Sequence, residues 1–132
     1  YTTLAETKDR ILATSVTAWW RWRGTDVDFD ARYPVVRDLL LSTFAQLHSL
    51  ALQQTVFEMG RAVLEACDDV AEVRLSCPNK HHFLVDLEPF GLANPGEVFY
   101  AADRPYGLIE AAVHREGDPP VPHVWASVPG FV

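Results

Sequence analysis

The sequence is poor in cysteine, in basic residues and in long apolar runs. Its two cysteines, Cys67 and Cys77, lie in apolar surroundings without CxxC or ligand-like spacing, which predicts reduced thiols in the core of a cytosolic protein. No apolar run is long enough to cross a bilayer, and residues 1–10 lack the basic flank and apolar stretch of a signal peptide. The formal net charge of -7 disfavours non-specific binding of nucleic acid, because the phosphate backbone repels an acidic surface. These absences argue against a membrane protein and against a nucleic-acid-binding protein.

The histidines also lack the spacing of a metal site. Five are present, but none stands in an HxxxH or HxH pattern near a carboxylate ligand. A metal hydrolase is therefore disfavoured, and no bound metal is expected.

The first part of the chain predicts a strand followed by a helix. Residues 9–23 alternate as a strand would, and one face carries Leu12, Val16, Ala18, Trp20 and Trp22. From Ala31 to about Leu47 the period becomes helical, with Asp30 as the expected cap and Pro34 tolerated in the first turn. The expected apolar stripe of this helix is Tyr33, Val36, Leu40, Phe44 and Leu47.

A second helix and further strands follow. Ser49 is the expected cap of the second helix, whose predicted buried face is Leu52, Val56, Met59, Val63 and Cys67. Residues 71–77 and 81–87 are interpreted as strand segments around Pro78, and a second strand pair is expected to break at Arg104-Pro105. The order strand, helix, helix, strands predicts an α+β fold: an antiparallel sheet with both helices packed on one face.

Four stretches of the sequence resemble the C-terminal half of bacterial urate oxidases (uricases). In chain order they are "YTTLAETKDRILATSV", "LALQQTVFEMG", "CPNKHHFLVDL" and "EVFYAADRPYGLIEA". The resemblance implies the tunnelling fold (T-fold), in which a subunit carries two tandem units and the sheets join into a barrel in a homotetramer. It also implies a cofactor-free enzyme that oxidises urate with O2 to 5-hydroxyisourate and hydrogen peroxide.

A family subunit is roughly twice as long as this chain, so the resemblance implies a C-terminal portion whose N-terminal half is a separate segment. Residues 1–116 would be the C-terminal T-fold unit, and residues 117–132 an extended, proline-rich tail. The absent initiator methionine agrees with this expectation. Because the chain ends in Gly-Phe-Val rather than in a Ser-Lys-Leu peroxisomal signal, a cytoplasmic protein is expected.

The resemblance also implies roles for individual residues. Arg10 would clamp the urate anion with its planar guanidinium, and Gln53 would hold the opposite edge of the purine, with the backbone N–H of Leu52 beside it. Asn79 and His81 match an Asn-x-His motif above the substrate plane: the amide would hold O2, peroxide or water, and the imidazole would belong to a proton relay. The catalytic lysine and threonine of the family belong to the missing half, and the family site forms at a subunit interface.

Two other functions stay open at the level of sequence. One is another T-fold enzyme that acts on pterins or on GTP, although Gln53 and the Asn79-x-His81 pair favour urate. The other is an inactive fragment that serves only in assembly. Trp19, Trp20 and Trp22 could stack on a ligand, but such a cluster is more often core or interface packing.

Overall fold

A computed structural model describes residues 10–126 and Val128. Asp9, where the first strand was predicted to begin, the start of the first resembling stretch (residues 1–9) and the C-terminal Gly-Phe-Val lie outside the described residues. The elements are strand β1 (Thr17–Trp22), helix α1 (Phe29–Gln46), helix α2 (Leu52–Ala66), strand β2 (Val70–Leu84) and strand β3 (Phe99–His114). Short 3₁₀ turns lie at Glu88–Phe90 and Pro122–Val124. The strands form one sheet in the order β1-β2-β3, and the predicted α+β fold is confirmed.

The described residues fall into two compact units. One combines residues 10–15 with Pro78–Gly107, and the other combines Val16–Cys77 with residues 108–126 and Val128. The second of these contains both helices and the buried core. Neither helix of the described chain has the length and apolar character that a membrane span requires.

The core forms where α2 covers the sheet. The predicted buried face of this helix is confirmed, since Leu52, Val56, Met59, Val63 and Cys67 are each at most 3% exposed. The 3.6-residue period aligns these apolar side chains on one side, and their burial drives the helix onto the sheet. The helix approaches β3 closely at Gly60, which lies against Val113. Both cysteines are buried and neither forms a disulfide, as predicted, and burial raises the pKa of the Cys67 thiol.

Helix α1 begins two residues earlier than expected, which moves its cap. Asp28, rather than Asp30, is the N-cap: its Oδ1 accepts a hydrogen bond from the Ala31 N–H at 3.0 Å. The predicted stripe is correct at its centre, where Val36 and Leu40 are buried. Its first residue, Tyr33, is half exposed and lies against Trp20 of the sheet, with ring centroids 5.9 Å apart.

The second expected cap was also wrong. Helix α2 begins after Ala51, which has no side-chain cap, and the Ser49 hydroxyl instead donates to the Ala51 carbonyl at 2.9 Å. The hydroxyl of Thr55 donates in turn to Ser49 Oγ, so Ser49 joins the helix start through its neighbours. A serine two residues before the N-cap cannot reach the N–H groups that a cap would satisfy.

The strands are longer or shorter than the sequence predicted because pairing decides their extent. Strand β2 runs unbroken through Pro78, and β3 runs unbroken through Arg104-Pro105, where breaks were expected. Strand β1 was expected over residues 9–23, but it covers only Thr17–Trp22, with one isolated bridge at Ala13. Pro78 has no N–H to donate, which accounts for the interruption in pairing between Thr17↔Ser76 and Ala13↔Lys80.

Tryptophans cover parts of both sheet faces. Trp22 packs on Phe29 of α1 with ring centroids 5.7 Å apart, so this part of the cluster is packing, as the sequence favoured. On the other face lies the buried carboxylate of Glu72, which accepts hydrogen bonds from Arg74 Nε at 2.8 Å and from Trp125 Nε1 at 3.0 Å. Burial alone would raise the pKa of Glu72, but these bonds and the charges of Arg74 and Arg21 outweigh it and lower the pKa.

Candidate functional site

The polar run Ser76–His82 is not a turn but the middle of β2. Since successive residues of a strand point to opposite faces, Asn79 and His81 lie on the same face of β2. Both are half-buried, so their side chains are held by the sheet and remain accessible to a ligand.

A cavity of about 450 Å³ lies beside Asn79 and His81 within their own unit. Its wall on the β2 side is formed by Pro78–His82, and its wall on the β3 side by Ala101–Arg104 and Tyr106. The cavity is open to solvent, and its largely apolar lining includes the amide of Asn79, the imidazoles of His81 and His82 and three charged side chains, Lys80, Asp103 and Arg104. Such a combination, mainly apolar with a few polar groups, is typical of small-molecule sites.

The segment that follows Arg10 is attached to β2 next to these residues. Ala13 and Lys80 form an antiparallel bridge in which the Lys80 N–H donates to the Ala13 carbonyl at 2.9 Å. The Thr14 hydroxyl donates to the Pro78 carbonyl at 2.8 Å. Arg10 itself is exposed, belongs to the same unit, and is not part of the cavity wall.

Two polar neighbours in the run are engaged elsewhere. The amine of Lys80 donates to the Ser15 hydroxyl, and a ring nitrogen of His82 lies 3.3 Å from the Lys80 carbonyl. The first contact joins β2 to the segment before β1, and the second is local to β2. Both residues also line the cavity.

The other two predicted site residues lie at the start of α2, in the second unit. Leu52 is buried and anchors the first turn, whereas Gln53 is exposed. The neighbouring Gln54 could be mistaken for the substrate amide, but its Oε1 accepts a hydrogen bond from the Leu50 N–H at 3.0 Å. Gln54 therefore serves the helix start, and Gln53 is the glutamine whose side chain remains available at this turn.

The structure thus brings Asn79 and His81 together in one cavity and places Arg10 in the same unit, while Leu52 and Gln53 belong to the other unit. Sequence reasoning missed the β3 wall, from Ala101 to Tyr106. The order of strands could have indicated it, because β3 is the next strand along the chain and sequential strands usually pair. Among residues 10–126 and 128, no group of three or more histidine, cysteine, aspartate or glutamate side chains could hold a metal ion.

Comparisons of the sequence with known proteins find uricases. A family model described as uricase matches residues 1–110. The uricase of Arthrobacter globiformis is 63% identical over 131 residues, which cover 99% of this chain and 43% of that protein. The uricase of Cyberlindnera jadinii is 39% identical over 129 residues, covering 88% of this chain and 43% of the relative. The chain therefore spans less than half the length of the curated relatives that it matches.

Solved structures show the same relationship. The crystal structure of Arthrobacter globiformis uricase matches with a TM-score of 0.89 at 63% identity, covering 96% of this chain and 44% of the other. A hyperthermostable mutant of Bacillus sp. TB-90 urate oxidase matches with a TM-score of 0.70 at 25% identity, over 90% of this chain and 40% of the other. Both relatives share the fold described above.

Proposed function

Because the chain belongs to the uricase family, we propose that it supplies part of the active site of an enzyme that oxidises urate with O2 to 5-hydroxyisourate and hydrogen peroxide. The observation that carries this proposal is the pair Asn79 and His81 on one face of β2, lining one cavity, in a chain with this family membership. No cofactor is needed, because the urate dianion is itself the electron donor.

The strand register supports a role for Arg10 beside this pair. The Ala13–Lys80 bridge attaches the segment that follows Arg10 to β2, next to Asn79 and His81. A guanidinium close to that pair can bind adjacent oxygen and nitrogen acceptors of the urate anion with two parallel hydrogen bonds.

The start of α2 supports a role for Gln53 and for the backbone N–H of Leu52. No side chain among the described residues caps the first turn of this helix, so its N–H groups remain available to a polar ligand. A glutamine head can accept from a ring N–H and donate to a carbonyl, which suits the purine edge. In the proposed site these groups hold the edge of urate opposite Arg10.

The proposed reaction moves two electrons and two protons. A base in the proposed N-terminal half removes a proton from bound urate, and the resulting dianion transfers electrons to O2, which forms a peroxide at the ring carbon. Water then displaces the peroxide, so that urate, O2 and water yield 5-hydroxyisourate and H2O2. Arg10 stabilises the developing negative charge, Asn79 holds O2 and then water, and His81 passes protons.

The remaining features of the proposal concern the whole protein. We propose that an N-terminal half of the same protein completes each site, and that four subunits join their sheets into a barrel with sites at the interfaces. Residues 1–116 then form the T-fold unit, and residues 117–132 form its tail. A cytoplasmic location stays a prediction.

The function is tested by following the loss of the ultraviolet absorbance of urate when purified protein is added. Intact mass identifies every polypeptide in the same sample. We expect Arg10→Ala to lower turnover by about a hundredfold or more, since one preorganised donor at developing charge is worth that much. Arg37→Ala is the matched control, because Arg37 is exposed on α1 and pairs with its neighbour Asp38. Wild-type turnover by the Arg10→Ala variant would refute the role of Arg10. A parent protein that contains all of its polypeptides but does not consume urate would favour the inactive fragment that serves only in assembly.

A further inference from the structure

Phe83 lies two residues beyond His81 on β2, and the two rings are stacked. Their centroids are 6.1 Å apart and their planes are inclined by only 10°. The spacing of two residues puts both side chains on the face that carries Asn79. The contact is therefore a direct result of strand geometry at the cavity, and it lies within one compact unit.

The stacking is the contact that orients the His81 imidazole within the described part of the chain. Across residues 10–126 and 128, the His81 ring makes no hydrogen bond, whereas the adjacent His82 has a ring nitrogen 3.3 Å from the Lys80 carbonyl. A histidine that is oriented by a hydrogen bond commits one ring nitrogen to that bond. A histidine that is oriented through its face keeps both nitrogens available for proton transfer.

Phe83 does not behave as a core residue. Its side chain is 46% exposed, so its burial contributes little of the stabilisation that a buried phenylalanine provides. The ring of Phe83 thus combines a large exposed surface with an ordered contact to His81. The geometry points to a role for Phe83 in the site rather than in the core.

We propose that Phe83 is a positioning residue that holds the His81 imidazole at the cavity with both ring nitrogens available for the proton relay. This inference rests on the proposed function and adds a residue to it. Proton transfer requires the donor and acceptor within hydrogen-bond reach, so a ring that is free to rotate about its side-chain bonds transfers protons less efficiently.

The test compares Phe83→Leu with Phe83→Tyr in the complete protein. Leucine removes the aromatic face, and we expect kcat to fall about tenfold or more while KM changes less than twofold. Tyrosine keeps the face, and we expect it to retain at least half of the parent kcat. Phe90→Leu is the matched control, because Phe90 is 75% exposed in the same unit and lies outside the cavity wall.

A double-mutant comparison separates positioning from a structural effect. If Phe83 acts through His81, then Phe83→Leu should cause no further loss in the residual activity of His81→Ala. An additive loss, or a Phe83→Leu enzyme with the parent kcat, would overturn the inference while the proposed function stands.

A readout without turnover keeps the two proposals distinguishable. In NMR spectra of the parent protein we expect nuclear Overhauser contacts between the His81 and Phe83 rings, and averaged His81 ring signals in Phe83→Leu. If the parent does not oxidise urate, the proposed function fails and the catalytic role of Phe83 fails with it. If the ring contacts are absent, the positioning itself is refuted, whatever the activity.

Discussion

Gly60 provides the sharpest test of how α2 packs on the sheet. A Cβ atom added at this position would lie 2.7 Å from Val113 Cγ2 and 3.0 Å from Val113 Cβ. The methyl Cγ2 could rotate away, but Cβ is fixed to the β3 backbone, so either the helix or the strand must move. In an exposed helix, replacement of glycine by alanine would stabilise by about 0.5–1 kcal/mol, whereas overpacking a core costs about 1–3 kcal/mol. We therefore expect Gly60→Ala to destabilise the protein by roughly 1–2 kcal/mol.

Thermal and urea unfolding of both proteins at the same protein concentration would measure this difference. Gly24→Ala is the control, since an added Cβ there meets nothing within 4 Å. In a Val113→Ala background the contact with Cγ2 is removed and only the 3.0 Å contact with Cβ remains, so Gly60→Ala should cost less than in the parent. A Gly60→Ala protein as stable as the parent would refute the close approach of α2 to β3.

Two further predictions concern the charged groups of the helix-containing unit. Because the folded pKa of Glu72 is depressed, its carboxylate contributes stability above the unfolded pKa, near 4.5, and this contribution is lost as the pH falls through the folded value. Glu72→Gln should therefore lower the free energy of unfolding at pH 7 by about 1–3 kcal/mol, and its difference from the parent should shrink below pH 4.5. An equal difference above and below pH 4.5 would contradict this. Arg115→Ala should also cost about 1–3 kcal/mol, because its Nη2 donates to the carbonyls of Leu64 and Cys67 at the end of α2. Arg61→Ala, on the exposed face of α2, is the control for that variant in the same unfolding experiments and should leave the midpoint unchanged.

Local patterns predicted the elements whose stability is local. The buried face of α2, from Leu52 to Cys67, was correct at every position because helical periodicity depends only on the spacing of apolar residues. The caps were wrong by two residues, since Asp28 and Asp30 are equally suitable as caps and the choice depends on where α1 meets the sheet. The strand breaks expected at Pro78 and at Arg104-Pro105 were wrong because local signals of proline ignore the partner strand.

The candidate site was also predicted only in part from the sequence. The resemblance named Asn79 and His81, and the structure places both in β2 beside one cavity. The opposite wall of their cavity, from Ala101 to Tyr106, was missed, although the order of the strands could have indicated the pairing of β3 with β2 that forms it. The stacking of Phe83 on His81 also depends on side-chain rotamers, which the sequence does not specify.

The sequence by itself determined the α+β class, the buried face of α2 and the family to which the chain belongs, because periodicity and motif spacing are properties of the chain alone. The tertiary structure alone decided the length of β2 and β3, the carbonyls that Arg115 satisfies, and the ring against which His81 rests. These depend on which backbone groups and side chains meet across strands distant in sequence, and such encounters are set by the packing of the whole sheet.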